Sequence, residues 1–161
     1  MLGSVAAKVL HDMTVPVWTA SHLEGTPVKC QAVLAAVDST PEAETVIRAA
    51  TALANSYGAS LSLAYVLETP PVCPEAAYGN YRHDMVSIEK DLVAKLLANA
   101  GAAAPLQVLE GPVASAIAQE AKRTGAQLIV TGRGRAQEAV TRMWSHLYPI
   151  VRHAPCPVLS I

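Results

Sequence analysis

The sequence predicts an α/β domain with a parallel sheet of five strands joined by helical crossovers. Three observations carry this expectation. Short apolar runs of strand length alternate with stretches of helical periodicity from Cys30 to the end of the chain. The last of the inner runs, Leu128 to Thr131, is continuously apolar rather than alternating, which suits a strand buried on both faces. Glycine or proline stands at most of the junctions, where turns belong. A chain of 161 residues, 52% apolar and 16% charged, suffices for one domain with a full core; Phe is absent, so Ala, Val, Leu and Ile must fill it.

The elements follow in order. Leu2 to Ala20 reads as an amphipathic helix and a strand, and Ser21 to Pro27 as a polar connector. Cys30 to Val37 is the first strand. Asp38-Ser39-Thr40-Pro41 then caps a helix, with Glu42 and Glu44 near its positive end. Val46, Ala49, Ala50, Leu53 and Tyr57 form its apolar face, and Gly58 stops it. Leu61 to Val66 is the second strand. Glu68 to Tyr81 holds three prolines and reads as a long loop, and Pro71 to Tyr81 within it as a mobile segment over or beside the ligand crevice. Met85, Ile88, Leu92 and Leu96 recur at helical spacing and are expected to face the core.

Pro105 to Leu109 is the third strand, at an edge because proline cannot donate to a ladder. Gly111-Pro112 opens a helix with Val113, Ile117 and Ala121 inward, closed by Gly125. After the fourth strand, Gly132 and Gly134 leave backbone N–H groups open to an anion ahead of another helix. Most such turns are tight connections and nothing more. Pro149 should kink that helix or start a new one. Pro157 to Ile161 is the last strand.

The residues from Val28 to Ile161 resemble the universal stress protein family. The resemblance rests on LIV-x-G-x-GR, then S-x5-VRHAPCPV, with VLAAVDS, ASLSLAYV and Gly111-Pro112 before them. It implies an open sheet of order 3-2-1-4-5 with helices on both faces (adenine nucleotide alpha hydrolase-like). The first and fourth strands are then neighbours at the switch point, where such sheets bind ligands beyond the strands' carboxyl ends. The family includes adenine-nucleotide binders and members that bind none.

In the binders, an Asp after the first strand and a Val on the second flank the adenosine, and G-x2-G-x9-G-[ST] holds the phosphates. Asp38 and Val66 match the first pair. Gly132 and Gly134 match the two glycines with the turn one residue short, and Ser145 matches the last position. Trp144 stands where the family has glycine. The candidate nucleotide-binding residues are therefore Asp38, Val66, Gly132, Gly134 and Ser145, with Asp38 equally readable as a helix cap. An indole where backbone must approach phosphate, beside a shortened turn, implies a degenerate site that binds ATP or AMP weakly or not at all. Arg133 and Arg135 either grip an anion or are simply solvated. A genuine ATP-binding stress protein is the alternative.

Leu2 to Ala20 also aligns without gaps on Met143 to Ile161. Ser4/Ser145, Pro16/Pro157 and Val17/Val158 are identical, and the apolar pattern agrees. Residues 1–20 thus resemble the end of a preceding universal stress domain, 21–27 a linker, and 28–161 the domain itself. The chain is either cut from a tandem protein or carries the remnant as an extension. In the family, final strands pair antiparallel across a two-fold interface, so the expected partner is a second copy in a homodimer or the chain's own N-terminal strand.

Twelve basic against thirteen acidic residues give no basic patch for nucleic acid and no electrostatic reason for a membrane partner. No apolar run has the length of a membrane span. Three scattered cysteines, Cys30, Cys73 and Cys156, fit a reducing cytoplasm better than a disulfide framework, and Cys30 and Cys156 fall in the expected strands. The five histidines lack metal-ligand spacing, and Ser145–His146 is mere adjacency on a helix, so neither a metal nor an enzyme is expected.

Overall fold

The computed structural model describes residues 8–10, 12–20, 29–67, 75–133 and 139–161. At the centre of the sheet lies β2 (Ala32–Val37), buried from its second residue onward. Val33, Ala35 and Val37 enter one hydrophobic layer, and Leu34 and Ala36 the other. Side chains alternate across a strand, so a strand covered on both faces is apolar at every position.

Parallel strands flank it. β3 (Ser60–Leu67) sets Tyr65 opposite Val37, and β5 (Leu128–Thr131) sets Thr131 opposite Ala36. β4 (Leu106–Glu110) lies outside β3 at the edge, just after Pro105, and β6 (Val158–Ser160) lies outside β5. β1 (Val17–Thr19) then pairs antiparallel with β6. The order across the sheet is β1-β6-β5-β2-β3-β4. The expectation of five strands, all parallel, is corrected: the sheet has six and is mixed. The physical reason is the edge of β6, whose backbone N–H and C=O groups need partners and find them in β1.

Helices α1 (Ala43–Tyr57) and α2 (Glu75–Asn99) cover one face, and α3 (Val113–Thr124) and α4 (Ala139–His153) the other. Gly58 ends α1 in the left-handed region (φ 62°), which glycine adopts without strain, so that its N–H reaches Asn55 O and the next N–H reaches Ala54 O. The expected apolar face of α1 holds except at Tyr57, which is exposed. Helix α4 continues through Pro149 to His153 without restarting. None of the helices, over the described residues, is long and apolar enough to cross a membrane.

Two expectations about α2 are corrected. The helix begins at Glu75, inside the stretch expected to be loop, because Glu75, Ala76 and Ala77 form helix readily and an acidic residue suits its positive end. The remainder of that loop, 68–74, lies outside the described residues. The buried face is also displaced by one residue, about 100° around the helix. Val93 and Glu89 are buried, with Leu96 and Leu97 packed beside them, while Ile88 and Leu92 are exposed. Apolar residues lie all around this helix, so spacing alone cannot select its inner face.

Candidate functional site

Because β2 and β5 are adjacent, their carboxyl ends open at one point of the sheet. Asp38 and Gly132 leave the strands there. Asp38 is exposed, and its Oδ1 accepts hydrogen bonds from the Thr40 N–H (3.0 Å) and the Thr40 hydroxyl (2.5 Å). Those bonds close a local turn of the kind Asp favours. Helix α1 starts only at Ala43, with Glu42 at the capping position and no side-chain cap. Asp38 therefore shapes the loop at the strand end and does not cap the helix.

Gly132 passes close over α1. A Cβ there would lie 3.3 Å from Val46 Cγ2, so any larger residue would force Val46 to give way. Its smallness thus serves packing between the β5 turn and α1. Val66 is half-buried on β3, packed against the layer that α3 and α4 cover. Gly134 lies outside the described residues. Ser145 and Trp144 stand in the second turn of α4, which starts at Ala139. They are not at the helix entry, as the sequence pattern suggested, and the amides left unpaired by the helix belong to its first turn instead.

Arg133 departs furthest from expectation: it neither faces an open anion site nor lies free in solvent. Its guanidinium donates to the carbonyls of Met13 and Val15 in the N-terminal segment. It also donates to the Ser160 hydroxyl (3.2 Å) and the Ser160 carbonyl (3.0 Å), and its backbone N–H to Ile161 O (3.0 Å). Partial burial lowers its pKa from the usual arginine range, which leaves the charge intact near neutrality. One side chain thus ties the turn after β5 to β6 and to the segment that leads into β1.

Two residues at this end of the sheet escaped sequence reasoning. Tyr65, the β3 partner of Val37, is hydrogen-bonded to the carboxylate of Glu89 on α2 and to Ser39. Burial first, then the Glu89 charge, pushes its phenol up to about 12. Glu89 is only 6% exposed, and its Oε2 has no hydrogen-bond partner among the described residues. In sequence Glu89 looks like any surface carboxylate; its position one turn before Val93 was the only signal available.

Residues 29–161 match the universal stress protein family (Usp). No curated protein sequence matches the chain. Among solved structures, a universal stress protein in complex with cAMP is 18% identical, with a TM-score of 0.59 over 83% of this chain and 97% of that one. The universal stress protein from Archaeoglobus fulgidus in complex with dAMP is 18% identical, with a TM-score of 0.57 over 81% of this chain. Another, from Archaeoglobus fulgidus DSM 4304, is 25% identical with a TM-score of 0.66. It is matched over 99% of this chain but only 54% of its own length, so this chain spans about half of that relative. With the family matched from β2 to the last strand, on a sheet that carries its pattern, the chain belongs to the universal stress protein family.

Proposed function

We propose that this chain is a non-catalytic regulatory binding module of the stress response whose adenine-nucleotide site is degenerate. The adenosine half, Asp38 and the Val66 strand end, is kept; the phosphate half is given over to holding the chain's own N-terminal segment. The observation that carries this reading is Arg133, the cation nearest the turn, whose guanidinium is spent on Met13, Val15 and Ser160. A triphosphate would have to compete with those bonds for the charge it needs. The position of Ser145 inside α4 supports the same view, since its backbone N–H is not among those the helix leaves unpaired. Complexes of two relatives with cAMP and dAMP support an adenine nucleotide as the ligand class.

A second reading, a genuine nucleotide binder, is favoured by the exposed Asp38 carboxylate at the switch point. Calorimetric titration with ATP, AMP and cAMP separates the two. Millimolar or undetectable affinity for ATP is expected, and micromolar affinity would overturn the degenerate site in favour of the second reading. Phosphate release from ATP above the buffer rate would contradict the non-catalytic assignment.

A further inference from the structure

The gapless alignment of residues 2–20 on 143–161 sets Val17, Trp18 and Thr19 on Val158, Leu159 and Ser160. In the sheet, Val17 pairs with Ser160, Trp18 with Leu159 and Thr19 with Val158. Under the alignment the Val17–Ser160 pair therefore maps onto the Thr19–Val158 pair, and the Trp18–Leu159 pair onto itself. That register is what a local two-fold axis through the Trp18–Leu159 pair imposes, and a slip of one residue would destroy it.

The surroundings of the two segments do not share this symmetry. Ile150, Ala154 and Cys156 are between 4% and 7% exposed, and Leu159 packs against the core, because α4 and β6 lie on the body of the domain. Their counterparts Val9, Met13, Val15 and Trp18 are between 39% and 59% exposed. Leu10 is the exception: it is buried in the same hydrophobic layer as its counterpart Val151. The exposed apolar residues Val9, Met13, Val15 and Trp18 are thus ones whose equivalents are covered by the body of the domain. The outer edge of β1 likewise corresponds to the edge of β6 that β5 fills with parallel pairs.

We infer that Val9, Met13, Val15, Trp18 and the outer edge of β1 form a docking surface for the α/β body of a second universal-stress-type domain. The occupant presents an open parallel strand like β5, ending in glycine, and lacks its own last helix and strand, which residues 8–19 supply. A second copy of this chain is not the occupant, because its β5 edge already holds its own β6. The length of the matched relatives agrees: the structure matched over 99% of this chain is about twice as long, whereas those matched along nearly their whole length reach 83% and 81% of it.

The test joins residues 29–142 of this chain directly ahead of residue 2 of the full chain, so that the N-terminal segment can complete a first domain. The added body contains no tryptophan, and Trp144→Phe leaves Trp18 as the single indole. The extended protein is expected to gain a second folded body, with Trp18 emission shifted to shorter wavelength and iodide quenching reduced several-fold. Adding Trp18→Asp should leave the new body open to protease while the original domain survives digestion. Digestion of the new body without that substitution, or Trp18 as readily quenched as before, would overturn the inference. The unextended chain is expected to sediment as a monomer with Trp18 open to iodide. A dimer that shields Trp18 would also overturn it, by making a second copy the occupant.

Discussion

At the scale of single residues, Glu89 and Tyr65 decide the polarity of the sheet's carboxyl end. A carboxylate that is more than nine-tenths buried, with one oxygen unpartnered among the described residues, is costly unless something compensates it. Glu89→Gln keeps a hydrogen-bonding group beside Tyr65 and removes the buried charge, so it should stabilise the fold by about 1 kcal/mol. Urea denaturation checks this, and a loss of stability would show that the charge is needed. Folding raises the Tyr65 pKa from 10.0 to about 12, so the folded protein holds this proton more tightly. Its contribution is complete below pH 10 and is lost as the pH climbs through about 12. Ultraviolet titration of Glu89→Gln should show the phenol ionising at lower pH, since the second cause of the shift is gone. Cys156 lies just before β6 rather than within it, and burial pushes its thiol up to about 11. A thiol reagent at neutral pH should therefore modify Cys156 only as fast as the protein unfolds.

At the scale of elements, the outer pair β6 and β1 depends on Arg133. Arg133→Gln shortens the reach to the carbonyls of Met13 and Val15 and removes the charge that strengthens those bonds, at a cost of about 1.5–3 kcal/mol. Protease cleavage before Lys29 should accelerate in this variant, with the body of the domain little changed. Deleting residues 1–20 should go further, exposing the β6 edge and causing self-association; a truncated chain that stays monomeric and equally stable would count against the role of β1. Strands and caps were legible in sequence where local chemistry dictates them. Leu128 to Val130 is apolar throughout, Gly58 and Gly125 end helices in the left-handed region, and Pro105 marks the edge. Helix α2 was not legible in the same way. Its inner face is chosen by the strands it covers, and a buried Glu89 disguises that face.

At the scale of the whole molecule, the chain is a universal stress fold with its own N-terminal segment as a sixth strand. The topology could be anticipated because repeated strand–helix units leave few ways to build a sheet. The candidate site was half legible. Sequence placed Asp38 and Gly132 at adjacent strand ends, but the partners of Arg133 come from residues 118 and 120 positions away, which no local pattern reveals. The central claim is that residues 12–19 are docked on β6 in the free chain and held there by Arg133. Native-state amide hydrogen exchange tests it most directly. Strand β1 is expected to exchange as slowly as β6 in the intact chain and to lose most of that protection in Arg133→Gln, while β2 and β5 keep theirs. Exchange of residues 17–19 at the rate of an unstructured peptide in the intact chain would contradict it.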